Sequence, residues 1–177
     1  VFGCGDAEGH DFEPLDVRTK WEACVTLSGS MGHNRLDTID EYKTARELIH
    51  DMIDVIVRGG NYLIAVGPDA AGRIPVMEEY LLTELGRWLE VNGEAIYETR
   101  PWRKRGEGPV VRYTRTGNVV YAIMLEWPGP ELVLEEPNPS FYSRFSLLGY
   151  ARPLRWERDE DRVLIRLPDL PPDAMPS

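Results

Sequence analysis

Apolar positions along the chain follow two different rules. Residues 21–27 are nearly continuously apolar, with Val25 and Thr26 β-branched, and read as a buried strand. Ala45, Leu48, Ile49, Met52, Ile53 and Ile56 then recur at three-four spacing, the mark of one helical face. Gly59-Gly60 ends that helix, because glycine takes the left-handed cap conformation without steric cost. Residues 62–66 form a second short apolar run, closed by Gly67-Pro68. Ile74-Pro75 opens a second helix, striped by Met77, Leu81, Leu85, Trp88 and Leu89 and stopped by Asn92-Gly93. Strand, helix, strand, helix over residues 21–97 predicts parallel strands joined by crossover helices. Two such strands leave both sheet edges bare and cannot bury both helix faces.

Beyond about residue 99 helical periodicity stops. Residues 110–115 and 119–125 flank Thr116-Gly117-Asn118 and predict a hairpin. Residues 131–135, 141–148, 154–157 and 163–167 are further strand candidates separated by Gly, Pro and Asp, so this half reads as an antiparallel sandwich. Residues 1–20 are acidic and Gly-rich and read as a loop, as do residues 28–34. The expected fold class is α/β plus all-β, with residues 1–98 and 99–177 as the two domains.

Composition narrows the partners. The 177 residues carry 20 basic and 30 acidic side chains, a formal charge of -10. A surface of that sign disfavours nucleic acid and acidic membranes and is compatible with a neutral substrate such as a sugar. No run approaches the roughly 20 apolar residues of a membrane span, and the chain begins at Val1 with no signal peptide in view. Cys4 and Cys24 are too few for a disulfide scaffold and read as free thiols, with a Cys4–Cys24 bridge as the alternative. His10, His33 and His50 lack metal-ligand spacing, and Gly59, Gly60, Gly67 and Gly72 form no phosphate loop, so no cofactor or metal is expected. The helix stripes, and the spaced Trp88, Trp102, Trp127 and Trp156, read first as packing residues; the tryptophans can alternatively form a sugar-stacking platform.

A set of motifs runs in order along this framework: Trp21-Glu22-Ala23-Cys24-Val25-Thr26-Leu27, Gly59-Gly60-Asn61, Val66-Gly67-Pro68 and Asn92-Gly93-Glu94-Ala95-Ile96-Tyr97, with weaker matches at Arg100-Pro101-Trp102, Tyr121-Ala122-Ile123 and Leu167-Pro168. In that order and spacing they resemble the family 29 α-L-fucosidases over nearly the whole chain. The resemblance implies the last two β/α units of a (β/α)8-type barrel, strands seven and eight, followed by the family's C-terminal β-sandwich. An eight-stranded barrel takes about 250 residues, so the resemblance also implies a chain cut at both ends, its sandwich included.

The chemistry so implied is hydrolysis of terminal α-L-fucose with retention, which needs two carboxyl groups about 5–5.5 Å apart. The resemblance puts the nucleophile on an earlier strand, before Val1. It puts the acid/base in the loop of residues 1–20, where the family's pattern is altered. Matching His10-Asp11-Phe12 makes Asp16 the candidate; matching Cys4-Gly5-Asp6 makes it Asp6; Asp11 and Glu13 remain alternatives. Any of these acids can equally be a solvated loop charge. Glu22, beside Trp21, can act as an acid or serve as a barrel-interior carboxylate. Met31 stands where the family has an aromatic that packs on the fucose methyl; it can cover that methyl or simply close the barrel top. His33 replaces a Tyr and is either a sugar contact or an exposed residue. Ala65 replaces a common Asn.

The expected partners are a fucosylated glycan and the remainder of the barrel, in cis or on another chain. The resemblance implies a secreted, periplasmic or lysosomal setting. Two other readings stand beside the enzyme: a non-catalytic fragment that binds carbohydrate or a partner chain, and a self-associating fragment pairing through bare edges.

Overall fold

The computed structural model describes residues 20–136 and 138–170. The chain divides into two compact units, Val1–Glu90 and Val91–Ser177.

The first unit is built on β1 (Glu22–Thr26), α1 (Ala45–Val57), β2 (Asn61–Ala65) and α2 (Val76–Asn92). β1 and β2 pair in parallel, from Glu22 opposite Asn61 to Thr26 opposite Ala65. Since side chains alternate along a strand, Ala23, Val25, Tyr62 and Ile64 share one face. That face is closed: Ala23 and Val25 are buried, as is Leu27 just beyond β1. Leu27 meets Leu48 of α1 and Leu81 of α2, with Tyr42, Ile64 and Val66 packed around them. The other face, Glu22, Cys24, Thr26, Asn61, Leu63 and Ala65, is half-buried or exposed throughout, and Leu63 keeps 46% of its surface in solvent.

α1 starts where the chain can satisfy its free amides. Thr44 Oγ1 accepts from the Glu47 amide at 3.2 Å, and the Glu47 carboxylate accepts from the Thr44 amide at 2.7 Å, a reciprocal cap. Those bonds, the backbone amide first, hold the Glu47 carboxyl below its ordinary range. α1 ends as expected at Gly59, with φ at 82°. Gly60 answers a different need. The Trp21 ring lies where its Cβ would be, 2.6 Å away. The Trp21 indole N–H donates to Arg58 O at 3.4 Å, and the Asn61 amide donates to Trp21 O at 3.0 Å. Trp21 and Gly59-Gly60-Asn61 are therefore one joint at the start of the two parallel strands.

The second unit holds two antiparallel sheets: β3 (Arg100–Glu107), β4 (Val111–Thr116) and β5 (Val119–Met124) in that order, and β6 (Glu131–Leu134), β8 (Arg162–Arg166) and β7 (Arg155–Asp159) in the order β6-β8-β7. Both contribute to one core: Val111 and Tyr113 from the first, Leu132, Leu134, Val163 and Ile165 from the second. Trp102 packs edge-on against Tyr113 at 5.0 Å, and Trp156 packs tilted against Phe145 at 5.1 Å. Both tryptophans lie against this core. Tyr113 Oη donates to Glu136 O at 2.5 Å, and its burial raises the phenol's pKa.

The Asn92-Gly93-Glu94 motif is a tight turn closed by backbone bonds. Ile96 and Tyr97 amides both donate to Gly93 O, and a Cβ on Gly93 would meet the Tyr97 ring at 2.8 Å. Thr114 Oγ1 donates to Ala95 O at 2.7 Å, and Tyr121 Oη donates to the Glu94 carboxylate at 2.8 Å. Desolvation, then that bond and the negative charge behind it, push the Tyr121 phenol up to about 12.

Two segments depart from the pattern of apolar positions. Residues 141–148 form no strand; Phe141 and Tyr142 are 90% and 87% exposed, while Phe145 turns onto the core and its carbonyl accepts from the Leu154 amide. β3, by contrast, is a strand hidden in a charged segment. It runs along the edge of its sheet with a register shift between Pro101 and Gly106. An edge tolerates proline and charge. Gly106 lets β3 approach closely, since a Cβ there would lie 2.2 Å from Val111 O.

Candidate functional site

Parallel α/β sheets place their chemistry at the carboxyl ends of the strands. Here that edge carries two loops, one after β1 and one after β2. Each is folded around a single aspartate.

In the first loop, Asp37 accepts from Ser28 Oγ at 2.7 Å, Ser30 Oγ at 2.8 Å and Asn34 Nδ2 at 2.6 Å. The Ser30 amide donates to Ser28 Oγ and the Leu36 amide to Asn34 Oδ1. The serine hydroxyls, foremost Ser28, hold the Asp37 carboxyl below its ordinary range, with Asn34 and the nearby His33 acting in the same direction. The network gathers the chain on both sides of Met31-Gly32-His33. Gly32 has φ at 102°, a value that favours glycine. Met31 is left 70% exposed, and His33 is exposed as well.

In the second loop, Asp69 accepts from the Ala71 and Arg73 amides at 2.8 and 3.0 Å and from the Arg73 guanidinium at 3.0–3.1 Å. Its carboxyl is likewise held low, by the Arg73 amide first and with a contribution from His33. His33 thus lies within the field of both aspartates. The loops also touch. A Cβ on Gly67 would fall 2.3 Å from the His33 nitrogen and 2.4 Å from the Gly32 carbonyl carbon. The Gly67 amide donates to the Glu78 carboxylate at 2.9 Å, and Glu78, in the first turn of α2, is buried.

Met31 and His33 are therefore brought together at the carboxyl edge. Glu22 is not. It begins β1, four residues before Thr26, so a strand's length of about 13 Å separates it from that edge. Asp6, Asp11, Glu13, Asp16 and Cys4 lie outside the described residues. Among the described residues no cluster of His, Cys, Asp and Glu is suited to a metal ion, and no helix is long and apolar enough to cross a membrane. Asp37, Asp69 and Glu78 were not singled out from sequence. Asp69 before Ala70-Ala71-Gly72 carries a turn signal, but the meeting of Ser28, Ser30 and Asn34 on Asp37 depends on the turn at Gly32.

Comparison with known proteins places this arrangement. The family model described as alpha-L-fucosidase matches residues 5–94, and that described as the alpha-L-fucosidase C-terminal domain matches residues 107–177. Tissue alpha-L-fucosidase of Homo sapiens is 40% identical over 164 residues, covering 89% of this chain and 35% of its own length. Plasma alpha-L-fucosidase of Rattus norvegicus is 40% identical over 165 residues, covering 89% of this chain and 36% of its own. Among solved structures, alpha-L-fucosidase isoenzyme 1 from Paenibacillus thiaminolyticus superposes with a TM-score of 0.81 at 27% identity, over 97% of this chain and 42% of that one. The Thermotoga maritima alpha-fucosidase in complex with fucose superposes with a TM-score of 0.75 at 30% identity, over 84% of this chain and 36% of that one. The chain spans about a third of the length of the curated relatives it matches.

Proposed function

This chain belongs to the α-L-fucosidase family, and from that premise we propose that it supplies the closing part of the catalytic barrel, and the sandwich after it, to a retaining exo-α-L-fucosidase. The observation that carries the reading is the half-open face of the β1–β2 sheet, topped at its carboxyl edge by exposed Met31 and His33. A barrel interior is a sheet face covered by the other strands of the same barrel, and the site of such a barrel lies at that edge.

In the reaction proposed, a nucleophilic carboxylate from outside this chain attacks the anomeric carbon of an α-L-fucoside. The bond to the leaving oxygen breaks, and that oxygen takes a proton from an acid on this chain. Asp16, Asp6 and Asp11 are the candidates. The same group, now a carboxylate, takes a proton from water, whose oxygen attacks the anomeric carbon as its bond to the nucleophilic carboxylate breaks, and fucose leaves with its configuration kept. Met31 lies on the sugar methyl and His33 near the hydroxyls. Glu22, at the far end of β1, belongs to the barrel interior and supports the strand pair.

The test follows the first-formed product by NMR. This chain, assembled with the rest of its barrel, cleaves an aryl α-L-fucoside, and α-L-fucose appears before its anomer. First appearance of the β anomer would contradict retention, and no cleavage would remove the glycosidase reading.

One observation favours the carbohydrate-binding alternative. An open groove of about 830 Å³ in the second unit is lined by Asn138, Ser140, Phe141, Trp156, Glu157 and Arg158. It joins aromatic surface to polar groups, as sugar sites do. Calorimetry with fucose and fucosylated glycans on a Phe141→Ala variant separates the two readings, because only the groove reading predicts lost heat.

A further inference from the structure

Asp37 and Glu78 lie at the candidate site, yet the bonds described for them go to protein. Asp37 ties Ser30 and Asn34, which bracket Met31-Gly32-His33, to Ser28, which is buried immediately beyond the end of β1. Glu78 holds the amide of Gly67, whose α-carbon has no room for a side chain against the Gly32–His33 backbone. The tripeptide is thus fixed at both ends by one carboxylate and backed in its middle by a glycine that the other holds. Both carboxylates also act on Tyr42, which packs on the Leu27–Leu48–Leu81 core; after desolvation, the charges of Glu78 and then Asp37 raise its pKa.

We propose that Asp37 and Glu78 are positioning residues for sugar recognition, holding residues 30–34 in the shape that presents Met31 and His33 without touching the substrate themselves. The inference rests on the reading that this loop meets the sugar. Its physical basis is geometric. Contact between the Met31 thioether and a methyl group gains only where the atoms meet closely, and a misplacement of about 1 Å at a positioned group can cost about 100-fold in rate. A loop with φ at 102° at its centre and two exposed side chains at its tip has little apolar burial to hold it, so hydrogen bonds must.

The experiment uses the assembled enzyme, this chain together with the rest of its barrel, and compares turnover of aryl α-L-fucoside with that of aryl α-L-galactoside, which carries a hydroxyl on the same carbon. Asp37→Ala and Glu78→Ala should raise KM for the fucoside about tenfold and lower the fucoside preference by a similar factor, since a hydrophobic pocket's discrimination is of order 10–200-fold. Asp37→Asn keeps the shape and can still bond to Ser28, Ser30 and Asn34, so it should restore most of both. Ser28→Ala, the mildest change, should move both in the same direction by less. Thr44→Ala is the stability control: it loosens the start of α1 and should lower Tm with KM unchanged. Wild-type KM and preference in the Asp37 and Glu78 variants, with only Tm lowered, would overturn the inference. No turnover by the wild-type assembly would instead remove the underlying reading, and the inference with it.

Discussion

The two units bury their sheets differently. In the second unit both sheets turn a face inward on a shared core, and Tyr113 and Leu134 are fully enclosed. In the first, the face toward α1 and α2 buries Ala23 and Val25, but the opposite face leaves Leu63 46% exposed beside Asn61 and Ala65. A sandwich can satisfy its apolar faces within itself. A parallel β/α pair cannot, because its helices cover one side only and a parallel sheet is ordinarily covered on both. Met31 and His33 sit at the carboxyl edge of the unit that leaves a face open.

The sharpest way to break this comparison is to open the closed core. Tyr113→Ala removes a fully buried ring, its edge-on contact with Trp102 and its bond to Glu136 O. It should cost about 3–5 kcal/mol and abolish the second unit's transition in urea, followed by Trp102 fluorescence. Retention of that transition would show that the sandwich does not depend on this core.

Gly60→Val tests the first unit at its joint. The added side chain meets the Trp21 ring at 2.6 Å, so a loss of about 1–3 kcal/mol is expected, confined to the first unit's amides in hydrogen exchange. This is also where the legibility of the sequence has its limits. Gly59-Gly60-Asn61 and Asn92-Gly93-Glu94 were read as family marks, and the periodic helices and parallel pairing around them follow from spacing alone. Their physical reasons, a tryptophan ring filling the place of a side chain and a tyrosine ring against Gly93, are long-range or turn-dependent and leave no pattern of their own. β3 leaves no strand signal because an edge strand needs no apolar alternation, and residues 141–148 carry a strand-like composition although Phe141 and Tyr142 are exposed. Met31 and His33 stand out through the motif they occupy, Met31-Gly32-His33-Asn34. Asp37 and Glu78 do not, since nothing local distinguishes them from other acids in a chain with 30.

A smaller, local effect is expected from pH. The Asp37 carboxyl is held below its ordinary 3.8, so the folded loop favours its ionised form. Its contribution is whole above the ordinary value and is lost as pH falls through the lowered one. Exchange at the Ser30 and Leu36 amides should therefore quicken only in that acid window, and Asp37→Asn should abolish the dependence. A wild-type profile identical to the variant's would count against the network.

The smallest effect concerns Tyr62. Among the described residues its hydroxyl is the buried side-chain group without a hydrogen-bond partner, and burial raises its pKa. Tyr62→Phe removes a group that gains nothing from its surroundings, so stability should be unchanged or rise by about 1 kcal/mol. A clear loss in thermal unfolding would mean that the hydroxyl has a partner.

We propose that the open face and its loops become a fucosidase site only when the barrel is completed. The most direct measurement is release of an aryl alcohol from its α-L-fucoside by this chain alone, by its N-terminal complement alone, and by the two combined. The account predicts turnover from the combination and none from either part. Equal turnover by this chain alone, or none from a combination that demonstrably associates, would contradict it.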